Sequence, residues 1–385
     1  MHWILLGGMA LLVALHVIQT WRVQLAQARQ AREASNAPKT SVSPDLSVTV
    51  LVPAWQEASV ISDTLHALDK VTYPATWDVI VIAGGKDGTL ELVNELVPRL
   101  SFPCTVMEQQ PNGKNAALQQ GLQHVTNEVV VILDADTQVS ENWLRDVVAP
   151  LMQDGVVASC GNFFPAQTTP ISMLEQMTKI AAYNIHHQTI LQGSGSIAVY
   201  RNVLEAVGGF PEYIKVGVDW DLDVRISEKG YGKAFAESAK VVTQRPATLA
   251  EFWKNEVRWR RAHMQSLLRQ FAAGEGSLLQ RILAWRFYIV AFIPLVLLLL
   301  IGISALLGFG QVALTFIGIL VLFLIWSLGR QSTLPVEISL YTGESHWNKL
   351  LPVPALILLV QWAAAWMATL SLRKTTVHFK GPRRV

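Results

Sequence analysis

Long apolar stretches lie near both ends of the chain, and shorter apolar runs alternate with amphipathic ones between them. The first long stretch runs from about Trp3 to Ile18. Three more run from about Phe287 to Leu307, Val312 to Leu328 and Leu350 to Leu370. A helix that crosses a bilayer needs roughly 20 mostly apolar residues, with about 17 near the lower limit, so all four are read as membrane helices. The run IPLVLLLLIGI inside the second is the strongest. The first is short enough to resemble a signal peptide. However, only the amino terminus is charged before it and no clear small-residue cleavage site follows, which predicts an uncleaved anchor.

The middle of the chain has a different rhythm. Residues 22–46 are polar, with Pro38 and Pro44 near the end, the composition of a helical stalk and a linker. Strands are predicted over VTVLVPA (48–54), DVIVIAG (78–84), CTVMEQ (104–109) and EVVVILDAD (128–136), with helices over Ser59–Leu68, Thr89–Leu100 and Lys114–Val125. Such alternation implies an α/β domain with a mostly parallel sheet, which binds ligands at the carboxyl ends of its strands. In the next segment Leu249, Phe252, Trp253, Met264, Leu267, Leu268 and Phe271 can share an apolar side, with Lys254, Arg258, Arg260, Arg261 and Arg269 among them. A basic helix with Trp and Phe belongs in a membrane interface. The expected organisation is an anchor (1–21), a stalk and linker (22–46), an α/β domain (47–247), interfacial helices (248–285), membrane helices (286–372) and a basic tail (373–385).

Composition agrees with a membrane class. Of 385 residues, 51% are hydrophobic and 16% charged, against roughly 25% charged in soluble domains. A net charge of +2 argues against nucleic acid as the main partner. Cys104 and Cys160 form no C-x-x-C or metal-ligand spacing, so neither a disulfide framework nor a zinc site is expected. Arg22, Arg29, Arg32 and Lys39 follow the first helix, which puts the middle region on the cytoplasmic side of the cell membrane. The tail, with Arg373, Lys374, Lys380, Arg383 and Arg384, also reads as cytoplasmic, yet three crossings would put it outside. Either one segment is re-entrant or the tail is translocated despite its charge. No Asp, Glu, Lys or Arg lies well inside the apolar segments, which argues against an ion-coupled transporter.

Acidic groups carry the candidate chemistry. Asp134-Ala135-Asp136 closes the strand VVVIL. On an extended backbone residues i and i+2 face one side, where a hard divalent cation, Mg²⁺ or Mn²⁺, would bridge carboxylates and phosphate oxygens. An acidic turn after a strand is the plain alternative. Asp219, Asp221 and Asp223 precede a helical segment, as first-turn acids or as a source of a general base. Asn255-Glu256-Val257-Arg258-Trp259 reads as an interfacial helix with snorkelling Arg, or as a place where Arg258 meets a diphosphate and Trp259 stacks on an acceptor sugar. Gly193-Ser194-Gly195-Ser196 is a turn or a close backbone approach to a ligand. Lys114 could reach a phosphate or lie exposed at a helix start; the spacing is not that of a P-loop.

In their order these motifs resemble the family 2 glycosyltransferases of GT-A fold, which include cellulose, chitin and hyaluronan synthases and many single-addition enzymes. The similarity runs from about Val48 to Trp259. It is carried by Pro53, Ala54 and Glu57 of the opening strand, Gly113-Lys114 with Ala117-Leu118, Asp134-Ala135-Asp136, Val207-Gly208-Gly209-Phe210, Val218-Asp219-Trp220-Asp221-Leu222 and Asn255-Glu256-Val257-Arg258-Trp259. The resemblance implies an inverting, single-displacement transfer of a sugar from a nucleotide-sugar donor, uridine being the first guess for its base. It implies Asp134 and Asp136 as ligands of the divalent cation and Asp219 as catalytic base. Pro53, Ala54, Glu57, Asp87, Lys114, Asp134 and Arg258 would serve the donor. Gly193, Ser194, Gly195, Trp220 and Trp259 would serve a lipid-linked or saccharide acceptor at the membrane lipids. Three positions depart from the pattern. Ala83-Gly84-Gly85-Lys86 stands where the family usually has Asp-Asp-Gly-Ser, one Asp of which contacts the base. Val218 replaces an acid. Asn255 replaces the Gln that some polymerising members use, which favours single addition over processive synthesis. A catalytically degenerate homologue acting as a scaffold is the remaining alternative, and the oligomeric state is not readable.

Overall fold

The protein is represented by a computed structural model that describes residues 2–35, 44–186, 191, 195–212, 217–273 and 278–372. Gly193, Ser194, Lys39 and the basic tail lie outside the described residues. In chain order the elements are α1 (His2–Ser35), β1 (Val48–Trp55), α2 (Ile61–Leu68), β2 (Trp77–Gly84), α3 (Thr89–Leu96), β3 (Cys104–Glu108), α4 (Lys114–Leu122), β4 (Val129–Leu133), β5 (Thr137–Val139), α5 (Trp143–Val148), β6 (Val156–Pro165), α6 (Pro170–Ile180), β7 (Ser196–Tyr200), α7 (Arg201–Ala206), α8 (Val218–Glu228), β8 (Gly232–Thr243), α9 (Leu249–Ala273), α10 (Leu278–Leu306), α11 (Gly310–Gln331), α12 (Leu334–Thr342) and α13 (Pro352–Leu370). They fall into two compact units. One takes in Lys39–Thr168 and Gln188–Arg245, the other Met1–Pro38, Thr169–His187 and Pro246–Lys374.

The first unit is built on one eight-stranded sheet of order β3-β2-β1-β4-β7-β6-β8-β5. β3, β2, β1 and β4 run parallel, with Ala54 opposite Ala83 and Leu51 opposite Ile132. β7 is antiparallel to β4 and β6, β8 is parallel to β6, and β5 is antiparallel to β8. The sheet is therefore mixed, with a parallel half where sequence periodicity predicts one. Both faces of β1, β2 and β4 are covered, which is why these strands read as nearly continuous apolar runs, whereas the edge strand β3 has exposed positions. Val48, Val50 and Val52 pack with Leu65 and Leu68 of α2 and with Trp143 and Phe163. Toward α4, a side chain at Gly121 would meet Ile82 and Leu51 at 3.0 and 3.1 Å, so glycine lets the helix lie close to the sheet. Each such fully buried Val, Leu or Phe contributes roughly 1.5–3 kcal/mol.

The second unit is helical. α1 continues through the polar segment to Ser35, where Ala28 and Ala31 are buried against Leu174, Met177, Phe252, Ile338, Trp347 and Ile357. Among the described residues four helices are long and apolar enough to cross a membrane: Leu6–Glu33, Trp285–Leu306, Gly310–Thr342 and Pro352–Leu370. The third extends past the apolar segment read from sequence and takes in Glu337, a buried carboxylate bonded to His186 Nε2 at 3.1 Å. On α9 the expected single apolar side divides. Phe252, Met264 and Leu267 are buried, whereas Leu249, Leu268 and Phe271 are exposed. One residue beyond Leu267 the helix has turned by about 100°, which carries Leu268 off the packed face.

His263 of α9 contacts the Tyr288 hydroxyl through Nδ1 at 3.2 Å. Burial, with the Arg260 charge behind it, pushes its pKa down to about 4. The unfolded chain takes up a proton near pH 6.5 that the folded one refuses. His263 therefore adds stability above about pH 6.5, and this is lost progressively as pH falls toward 4. In detergent, the acid-side fall in melting temperature is expected to be shallower for His263→Gln than for the wild type. Parallel curves would show that His263 titrates normally.

Candidate active site

The acidic pair lies in a turn. β4 ends at Leu133. The Asp134 N–H donates to Gly195 O at 3.0 Å, and the Thr137 N–H donates back to Asp134 O at 3.1 Å, closing a four-residue turn into β5. The Thr64 hydroxyl holds Ala135 O at 2.8 Å. This corrects the extended geometry expected for residues 134–136. The two carboxylates do not share one face of a strand: Asp136 is 7% exposed, whereas the Asp134 side chain is one-third exposed, at 33%. Gly195 has φ +67, and a Cβ there would lie 3.1 Å from Thr137 Oγ1 and 3.7 Å from Asp134 Oδ2. Only glycine lets the backbone come this close in that conformation.

Lys114 opens α4, and its Nζ is ion-paired with Asp134 Oδ1. Burial disfavours the ammonium, but Asp134 by charge and hydrogen bond, then Asp219 and Asp136 by charge, outweigh it and hold the lysine above its ordinary pKa. Residues 134, 136 and 219, up to 105 positions away in sequence, thus act on the Lys114 ammonium. Lys114 therefore lies at a helix start, partly exposed, with its ammonium paired to Asp134.

Asp219 lies in the first turn of α8, entered through Gly217 at φ +85 with no side-chain cap. Its Oδ1 accepts the Trp220 N–H at 2.9 Å. The other two acids of the cluster have structural partners. Asp221 pairs with Arg225 at 2.8 Å, one helical turn on, and Arg225 also donates to the carbonyls of Val207 and Gly209. Asp223 pairs with Lys233 at 2.7 Å and accepts the Leu191 N–H. Arg225 was not among the sequence candidates, although its i, i+4 spacing from Asp221 is readable. It anchors the Val207–Phe210 segment, whose Phe210 N–H is held by Gln119 of α4 at 2.8 Å. Arg225→Ala would strand a mostly buried carboxylate, with side-chain exposure of 12%. It is expected to cost about 3 kcal/mol in chemical denaturation; a loss below 0.5 kcal/mol, roughly what a surface change costs, would refute this anchoring.

At the sheet's carboxyl edge, Pro53 and Ala54 lie near the end of β1 beside Ile82 and Ala83. Gln56 then takes φ +56 as the chain turns, a conformation uncommon outside glycine. Glu57 is buried, and its carbonyl starts α2 by accepting from Val60 and Ile61. Asp87 ties two loops together: Oδ1 accepts from Thr89 Oγ1 at 2.7 Å, Oδ2 from Ala58 N–H at 3.1 Å, and Thr89 Oγ1 accepts the Glu57 N–H at 2.9 Å. Arg258 and Trp259 lie on α9 in the helical unit, the guanidinium 5.6 Å from the Trp259 ring centroid.

Residues 44–262 match the family model described as Glycosyltransferase like family 2. The chain belongs to the family 2 glycosyltransferases. It is 26% identical over 242 residues to Probable glycosyltransferase YdaM of Bacillus subtilis (strain 168), covering 58% of this chain and 57% of that one. It is 25% identical over 262 residues to Glycosyltransferase AglE of Haloferax volcanii, covering 64% and 81%. It is 25% identical over 234 residues to the poly-beta-1,6-N-acetyl-D-glucosamine synthase of Staphylococcus aureus (strain COL), covering 58% and 56%. The match thus spans little more than half of the Bacillus and Staphylococcus proteins. Among solved structures, mannosyltransferase PcManGT from Pyrobaculum calidifontis in complex with GDP-Man and Mn²⁺ superposes with a TM-score of 0.58 at 18% identity, over 95% of this chain and 98% of that one. That likeness is one of fold, and the fold of this family 2 member is GT-A.

The family implies a divalent cation, and this chain's residues fit one. Asp134 and Asp136 are hard oxygen donors, and the ammonium paired with Asp134 shows that the turn accommodates positive charge. Among the described residues no three His, Cys, Asp or Glu side chains converge on a point. The protein would thus supply the two carboxylates, and phosphate oxygens and water would complete the shell, as is usual for Mg²⁺.

Proposed function

We propose that this family 2 glycosyltransferase moves a hexose or N-acetylhexosamine from a nucleotide-sugar, with UDP as the leaving group, to a lipid-linked or saccharide acceptor at a membrane. The observation that carries the reading is the ion pair of Lys114 with Asp134 in the turn that also holds Asp136, with the charges of Asp136 and Asp219 acting on the same ammonium. A cation bound by Asp134 and Asp136 would neutralise the donor's diphosphate. Lys114 would contribute a second positive charge to the same diphosphate, and Arg258 would add a third. The Asp219 carboxylate would take the proton of the acceptor hydroxyl as its oxygen attacks the anomeric carbon. One C–O bond forms as the bond to the diphosphate breaks, the nucleoside diphosphate leaves with the electron pair, and the anomeric centre inverts. No sugar–enzyme bond is required. Trp220, Trp259, Gly193, Ser194 and Gly195 would serve the acceptor. The apolar helices support action at a membrane, with the catalytic unit on the cytoplasmic side.

The test is release of nucleoside diphosphate by the full chain in lipid nanodiscs with Mn²⁺ or Mg²⁺, from a panel that includes UDP-sugars and GDP-mannose. Lipid extract and oligosaccharides would serve as acceptors, and product length would be read by mass. Metal-dependent release with a single added sugar is expected. A ladder of products would replace single addition with polymer synthesis. No release from any donor would point to a degenerate homologue.

A further inference from the structure

At the carboxyl ends of β1, β2 and β3 a polar group is left without a partner. Gln109 directly follows β3. Its main-chain N–H donates to Ala83 O at 2.7 Å, which pins it beside the end of β2, and the residue is only 4% exposed. Its side-chain Oε1 is buried and accepts no hydrogen bond from any described residue. An acceptor stranded this way costs roughly 1–3 kcal/mol. Such groups are few in folded proteins, and a ligand that supplies the missing donor is one physical explanation.

The neighbouring backbone explains why an amide, rather than an acid, is on offer. A Cβ at Gly84 would lie 2.5 Å from Gln109 O and 3.1 Å from the Trp55 ring. At Gly85, φ is +120 and a Cβ would lie 2.6 Å from Gln56 Cγ. Of the two positions where acids would be expected, Gly84 therefore has no room for a side chain and Ala83 is fully buried in the sheet, and Gln109 stands beside both at the end of β3.

We propose that Gln109 reads the base of the donor nucleotide, in the role that an acid at position 83 or 84 would otherwise fill. The proposal rests on the nucleotide-sugar reading above. A carboxylate only accepts, whereas an amide presents an acceptor and a donor side by side. That pair is complementary to a ring N–H next to a carbonyl. On uracil, N3–H would meet Oε1 and O4 would meet Nε2, leaving neither group of that edge unpaired. Guanine offers the same pair but adds an exocyclic amino group that one amide cannot also satisfy, and an unpaired buried donor is penalised.

The experiment measures binding of UDP, GDP and inorganic pyrophosphate, each with Mn²⁺, to the full chain in nanodiscs by calorimetry. The wild type, Gln109→Ala and Gln109→Glu are compared. Wild type is expected to bind UDP at least tenfold more tightly than GDP. Gln109→Ala is expected to weaken UDP at least tenfold while pyrophosphate stays within twofold, which also reports an intact fold. Gln109→Glu, which keeps an acceptor and loses the donor, is expected to fall between. Unchanged UDP affinity in Gln109→Ala, equal losses for UDP and pyrophosphate, or a wild-type preference for GDP would each overturn the assignment to Gln109 and uracil. Wild type that binds pyrophosphate but no nucleotide, or nothing at all, would instead remove the nucleotide-sugar reading and the base assignment with it.

Discussion

Asp219→Asn is expected to lower turnover by about three orders of magnitude while leaving donor affinity within roughly twofold; a positioned general base is worth about 10²–10⁴ in rate. Asparagine has nearly the same shape, and its side-chain oxygen can still accept the Trp220 N–H that Asp219 holds at 2.9 Å. It cannot take a proton. The first turn of α8 should survive the change, so the loss should fall on kcat. The measurement is nucleoside diphosphate release under saturating donor, paired with equilibrium binding of UDP. If turnover stays within tenfold of wild type, Asp219 is not the base, and the remaining acids of the cluster are poor substitutes. Asp221 and Asp223 are engaged with Arg225 and Lys233 at 2.8 and 2.7 Å. A loss of turnover accompanied by a parallel loss of UDP binding would instead make Asp219 a prop for the donor site.

Parts of this arrangement are legible in the sequence and parts are not, for physical reasons. β1, β2 and β4 announce themselves because both of their faces are buried, so nearly every position is apolar. β5 to β8 do not. β5 has three residues, and β8 carries Lys, Glu and Ala in the run GKAFAESAKVVT, with register shifts against β6 that break any simple alternation. Their pairing is long-range and is decided by the sheet they join rather than by their own pattern. The acidic pair 134–136 was visible as composition, but its conformation was not. The turn depends on hydrogen bonds from Thr64 and to Gly195, each about 60 to 70 residues away in sequence. Asp219 stands out through motif order, whereas the pairing of its neighbours Asp221 and Asp223 with Arg225 and Lys233 is seen only in the structure. Gln109 carried no motif at all. Its interest comes from burial and from an oxygen with nothing to accept, and neither is a property of a residue type.

Lys114→Met is expected to move two affinities in opposite directions. The ammonium of Lys114 lies against Asp134 and is pulled on by Asp136 and Asp219 as well, so it occupies charge space that a divalent cation would share. Two like charges about 4 Å apart repel by several kcal/mol at an effective dielectric constant near 20. Without nucleotide, the lysine therefore opposes the metal. With nucleotide, the diphosphate brings enough negative charge for both, and the lysine can leave Asp134 for a phosphate oxygen. Removing it should tighten Mn²⁺ alone by about tenfold or more and weaken UDP in the presence of Mn²⁺ by a similar factor, since one tenfold step is only about 1.4 kcal/mol. Global stability should change little. Both partners of the pair are more than 30% exposed, and solvent screening limits such a pair to about 0.5–1 kcal/mol. Electron spin resonance of free Mn²⁺ with and without UDP reads both affinities on one sample. A misfolded variant would weaken both. A lysine that only braces the turn would weaken Mn²⁺ when removed, because Asp134 would lose its orientation. Only an ammonium that stands in for the metal and then moves to the donor gives the two opposite signs.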